Sequence, residues 1–114
     1  PCWGDDHIGE TLNLSECLVR DPAKTFCVQA FGDSMINAGI EPDDILVVDS
    51  GLEAKNGNIV VAAVDGDLTV KRLHKTKNAL SLMPENDNYR PIEIGADTGF
   101  QIWGVVTRII KAAV

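Results

Sequence analysis

The sequence predicts a mostly β fold, a sandwich or a partly closed barrel of several short strands. Three observations predict it. Strand-like runs recur with turn signals about every 8–12 residues. Asp65-Gly66 stands between two such runs, and an Asp-Gly pair in that position is the strongest short hairpin signal. Ile59–Val64 is an unbroken apolar run, the pattern of a strand buried on both faces.

Taken in order, residues 1–11 read as a flexible N-terminal arm, polar and without periodicity, with Cys2 and Trp3 as possible anchors. Residues 12–114 read as one domain. Leu14, Cys17 and Leu18 fit helical spacing, which gives a short helix at about 14–20 that ends before Asp21-Pro22. Thr25–Ala30 is strand-like. Asn37-Ala38-Gly39 reads as a turn or short helix, and Glu41-Pro42-Asp43-Asp44 as a turn before the apolar strand Ile45–Val48. Ile59–Val64 and Leu68–Leu73 flank the Asp-Gly hairpin. Ala79–Met83, Ile92–Ile94 and Phe100–Ile110 complete the strands, with turns at Pro84–Asn88 and Gly95–Gly99.

Charge and composition exclude several classes. The 114 residues carry 17 acidic and 10 basic side chains, for a net charge of −7. Nucleic-acid binders concentrate Lys and Arg, and the densest basic stretch here, Lys71 to Lys77, is short. Direct nucleic-acid binding and docking to an anionic membrane are therefore not expected. The longest apolar run has far fewer than the about 20 residues a membrane helix needs. The start is acidic, unlike a signal peptide, and lacks an initiator Met, so a preceding segment and a cytoplasmic location are expected. The three cysteines make an odd count without metal-ligand spacing. Cys17 and Cys27 are expected as reduced core residues. No metal or other cofactor is expected.

Catalytic material is sparse. His7 lies on the arm and His74 among basic residues, so both read as surface histidines. The paired aspartates sit at turns, where turn chemistry accounts for them. Ser34 differs. It leaves a strand two residues after Gly32, which lets backbone approach closely, and successive N–H groups there can converge on an anion. The backbone N–H groups of Ser34 and Asp33 are the candidate oxyanion donors. A serine nucleophile needs a base. Lys71 is the candidate, on a strand that alternates Thr69, Lys71 and Leu73 on one face. Burial in an apolar pocket lowers a lysine pKa, which is what a general base requires. On residues alone, a Ser34–Lys71 dyad and an exposed strand lysine both stand.

A resemblance favours the dyad. Phe31-Gly32-Asp33-Ser34-Met35-Ile36-Asn37-Ala38-Gly39-Ile40 and Asp43-Asp44-Ile45-Leu46-Val47-Val48-Asp49 resemble the self-cleaving peptidase domain of the LexA and phage-repressor family. Asn58–Ala62 followed by Thr69–Leu73 resembles its second signature, in register. Leu82–Asn86 and Trp103–Thr107 agree as well, so the resemblance runs from about Leu12 to the C-terminus. Within the family the chain is most similar to the UmuD-like SOS mutagenesis branch. The resemblance implies Ser34 as nucleophile, Lys71 as general base, and autoproteolysis stimulated by a RecA–single-stranded DNA filament. It also implies a homodimer, and a processed form that joins a UmuC-like DNA polymerase for translesion synthesis. The cleaved bond is expected upstream of residue 1, because Ala38-Gly39 matches the dyad region instead. The strand Phe100–Ile110 is the expected dimer interface, with Trp103, Val105 and Ile109 alternating toward a partner or toward the core. The alternative is the C-terminal self-cleavage and dimerisation domain of a LexA-type or phage repressor.

Overall fold

A computed structural model describes residue 9 and residues 11–114. The arm expected at 1–11, with Cys2, Trp3 and His7, lies almost wholly outside the described residues. The strands are β1 (Thr25–Gln29), β2 (Ile45–Asp49), β3 (Ile59–Val64), β4 (Asp67–Lys75), β5 (Leu80–Met83), β6 (Ile92–Ile94) and β7 (Phe100–Ile110). One short helix, α1 (Leu14–Leu18), and single 3-10 turns at Pro22–Lys24 and Ile36–Ala38 complete the described elements. The helix stops short of residue 20. Asp21 must be extended to cap the following turn, accepting from the Ala23 N–H at 3.1 Å, and Pro22 opens that turn.

The mostly β expectation holds. The strands form one open sheet in the order β1-β2-β7-β3-β4-β5-β6, every pair antiparallel. The layers come from its two ends. Side chains of β1, β2 and the 30–40 segment pack on one face of β3, around Met35, Ile40, Leu46, Val48 and Val61. Side chains of β4, β5 and β6 pack on the other face, around Val60, Ala62, Leu73 and Leu82. This is why β3 reads as a continuous apolar run: both of its faces are core.

The Asp-Gly hairpin forms as read. Val64 pairs with Asp67, leaving a two-residue loop. Asp65 and Gly66 both take positive φ, 49° and 91°, as a type I′ turn requires. Asp65 Oδ1 also accepts from the Gly99 N–H at 2.8 Å, tying the turn to the start of β7.

β7 departs from simple alternation. Val61 pairs with Gly104 but Ala62 with Ile102, so Trp103 is an extra residue. Val48 pairs with Val106 but Val47 with Arg108, so Thr107 is another. Each bulge reverses the facing of the residues beyond it. Val105 therefore belongs to one core and Ile109 to the other, while Trp103 stays 44% exposed against the edge of Phe26. The three do not share a face.

The cysteine expectation is corrected. Cys17 and Cys27 are free thiols, but both are exposed. Cys27 lies on the end strand, on the face away from the Phe26 and Val28 side that packs into the core. Two buried carboxylates are held by partners instead. Asp49 accepts from Arg20 Nε at 2.9 Å, and that bond holds its pKa below the usual value. Asp44 accepts from Lys111 Nζ and, at 2.8 Å, from the Glu41 N–H; the Lys111 bond is the larger cause of its lowered pKa.

Candidate active site

Ser34 and Lys71 lie 37 residues apart in sequence, yet Lys71 Nζ stands 3.0 Å from Ser34 Oγ. The sheet explains how. β5 pairs with β4 only from Arg72 to Lys75, so the stretch from Asp67 to Lys71 has β3 on one side and, among the described residues, no strand on the other. Lys71 sits where that free edge begins. The chain leaving β1 passes this edge and presents Ser34 to it. Gly32 makes the passage possible with a φ of 71°. An added Cβ there would meet nothing within 4 Å, so the glycine serves the backbone conformation and not a close approach.

The lysine's surroundings favour its neutral form. Its residue exposure is 9%, and burial pushes its pKa below the ordinary lysine value. Nζ has two further partners, Thr69 Oγ1 at 2.6 Å and the Val70 carbonyl at 3.2 Å. A neutral amine has two N–H groups and one lone pair. Two acceptors plus the Ser34 hydroxyl match that inventory, with the lone pair left for the Ser34 proton. The sequence reading placed Thr69 on the face of Lys71 but gave it no role.

A cleft of about 440 Å³ opens beside the pair. Its walls are mostly apolar, with Val28, Ala30, Met35, Ile40, Val61, Leu68 and Val70, and Gln29, Ser34, Thr69 and Lys71 supply the polar side chains. Phe31, 85% exposed, and Leu68, about half exposed, stand at its rim. Gly32, Ser34 and Met35 line it; Asp33 does not. The Asp33 carboxylate instead accepts from Tyr89 Oη at 2.6 Å, and this hydrogen bond, aided by the carboxylate's charge, raises the Tyr89 pKa. His74 is exposed on β4, away from this chemistry. No group of three or more His, Cys, Asp or Glu side chains that could hold a metal ion occurs among the described residues.

The segment after β5 braces the serine loop, which the sequence reading treated as a plain turn. The Glu85 N–H donates to the Ser34 carbonyl at 2.8 Å, and the Asn37 N–H donates to the Glu85 carbonyl at 2.9 Å. Asn86 Nδ2 donates to the Asp33 carbonyl at 2.9 Å. Arg72, next to Lys71, donates from Nε to Glu85 Oε1 at 2.6 Å.

Comparison with known proteins shows the family to which the chain belongs. The model of the family described as peptidase S24-like matches residues 1–107. The chain is 41% identical to Protein SamA of Salmonella typhimurium over 110 residues, 96% of this chain and 76% of that protein. It is 43% identical over 86 residues to LexA repressor 1 of Xanthomonas campestris, covering 75% of this chain and 43% of the repressor. It is 37% identical over 114 residues to the LexA repressor of Shewanella baltica, covering 97% of this chain and 54% of the repressor. The chain thus spans about half the length of these LexA relatives and three quarters of SamA. With a matching family model over nearly its whole length and a buried lysine against a serine at one cleft, the chain belongs to the peptidase S24-like family.

Proposed function

We propose that this chain is a UmuD-like protein of the SOS response that cleaves itself with Ser34 as nucleophile and Lys71 as general base. The observation that carries the reading is the 3.0 Å separation of Lys71 Nζ and Ser34 Oγ at an apolar cleft. Neutral Lys71 takes the hydroxyl proton as Ser34 Oγ attacks the carbonyl carbon of the scissile peptide bond. The carbonyl oxygen becomes an oxyanion. The backbone N–H of Ser34 is the proposed donor to it and has no protein acceptor among the described residues; Asp33, expected to supply a second, does not line the cleft. Protonated Lys71 then gives its proton to the leaving amine, and water releases the acyl group from Ser34.

The finer reading rests on the resemblance. The RecA–single-stranded DNA filament acts as co-activator, and the processed form joins a UmuC-like polymerase as a translesion subunit in the cytoplasm. Residues 12–114 serve as the peptidase and dimerisation domain. The homodimer forms through β7, whose exposed Trp103 and Ile110 support that placement. The acidic balance and the similarity to SamA along 76% of its length favour this branch. The 43% and 37% identities to LexA repressors favour the second reading, the self-cleavage domain of a repressor.

Mass spectrometry on the product of the full open reading frame tests both. It is incubated near pH 10, about the free lysine pKa, as wild type, Ser34→Ala and Lys71→Ala. Loss of an N-terminal piece in wild type alone is expected. Cleavage in either variant overturns the dyad. A released piece of roughly two dozen residues supports the UmuD-like reading, whereas a basic helix-turn-helix segment supports the repressor.

A further inference from the structure

The loop Glu85–Tyr89 and the residue after the lysine form a brace whose geometry bears on the dyad, an inference that rests on the Ser34–Lys71 reading. Ser34 stands on an irregular segment with no strand partner, and Lys71 on a long side chain that reaches it from another element. Nothing in either element alone fixes their separation. The brace does so by two routes. Tyr89 Oη and Asn86 Nδ2 hold the Asp33 side chain and carbonyl, one residue before the nucleophile. The Glu85 backbone holds Ser34 and Asn37. Arg72 closes the circuit back to β4, with Nε on Glu85 and an Nη on the Gly57 carbonyl at 2.7 Å.

Strand alternation sends Lys71 and Arg72 to opposite faces of β4. One reaches Ser34 directly. The other reaches the same loop through Glu85. We propose that Arg72 and Tyr89 are positioning residues that set the distance between Ser34 Oγ and Lys71 Nζ. Neither touches the reacting atoms. A misplacement of about 1 Å in such a pair costs up to about a hundredfold in rate.

The test uses this chain and a small dialkyl fluorophosphonate, so no peptide substrate is needed. Ser34 Oγ bonds to phosphorus, the P–F bond breaks with loss of fluoride, and the hydroxyl proton passes to Lys71 and then to water. Labelling of Ser34 is followed by mass against pH for wild type, Tyr89→Phe, Arg72→Ala, Arg72→Lys and Lys71→Ala. Tyr89→Phe and Arg72→Ala are expected to lower the high-pH plateau about tenfold. The midpoint of their pH profiles stays that of wild type, because the burial of Lys71 is untouched. Arg72→Lys, which keeps a donor for Glu85, recovers part of the loss. Plateaus equal to wild type overturn the proposal. So does a loss that comes with a shifted midpoint or with unfolding at the assay temperature. If wild type is not labelled, or Lys71→Ala is labelled as fast, the dyad reading itself has failed. If only the two positioning variants behave as wild type, the dyad stands and the brace does not.

Discussion

Replacing Thr69 with valine removes one hydroxyl and keeps the β-branched shape that suits a strand. In the structure that hydroxyl lies 2.6 Å from Lys71 Nζ, nearer than Ser34 Oγ at 3.0 Å or the Val70 carbonyl at 3.2 Å. With Thr69 and Val70 each taking an N–H, the amine has one orientation, and its lone pair faces the serine. Without Thr69 the Cε–Nζ torsion is no longer fixed. Val70 still takes one N–H, so one of the two remaining staggered orientations serves, a loss of roughly twofold. Counted instead as a lost hydrogen bond of about 1 kcal/mol, the loss is about fivefold. Labelling of Ser34 by a fluorophosphonate, read on the high-pH plateau, is therefore expected to slow by about two- to fivefold. The pH midpoint should also move. The ammonium form donates to Thr69 more strongly than the neutral amine does. Removing the acceptor disfavours the charged form, so the midpoint falls. An unchanged plateau, or a midpoint that rises, would refute the orienting role.

Lys71→Arg should fold and show no labelling or cleavage at any pH up to about 11, because a guanidinium keeps its proton; an active variant removes the base assignment. Leu82→Ala empties a fully buried position and should cost about 3 kcal/mol, lowering Tm by on the order of 10 °C in a thermal melt. A shift within about 2 °C would mean the site closes over the missing volume. Acid should weaken the fold through Asp44 and Asp49. Their folded pKa values lie below the ordinary 3.8, so the unfolded chain binds more protons between the two values. That stability is fully present above the unfolded pKa and is lost as pH falls through the folded values. Arg20→Met should flatten the Asp49 part of this loss in urea titrations at pH 3 to 5; an unaltered slope would show that Arg20 does not hold the carboxylate.

Much of the fold was legible because its signals are local. The Asp65-Gly66 turn needs two positive φ angles, and that residue pair supplies them. The apolar run of β3 follows from having a core on each face. Where a signal depended on distant partners, it was weaker. Alternation along β7 suggested one face for Trp103, Val105 and Ile109, but the bulges at Trp103 and Thr107 arise from pairing with two different strands. Cys27 read as core by residue type, and only its place on the end strand exposes it. In the site, serine and lysine were visible as types, and the family-like signatures tied them together. The brace was not. Its contacts join Asp33 to residues more than 50 positions away, and Asn86 and Tyr89 carry no pattern that marks them beyond a turn.

The run of β4 from Asp67 to Lys71, which no strand among the described residues pairs, carries a risk. Open strand edges recruit other chains, and proteins usually cap them or shorten them. Here the edge borders the cleft, so a cap would block the place where, on the proposed function, the cleaved peptide lies. The remaining protections are short length, the charge of Asp67 at one end, and a net charge of −7 that opposes non-specific association. On that reading, solubility and catalysis compete for the same five residues. Substitutions that neutralise Asp67 should promote aggregation before they alter the chemistry of Ser34.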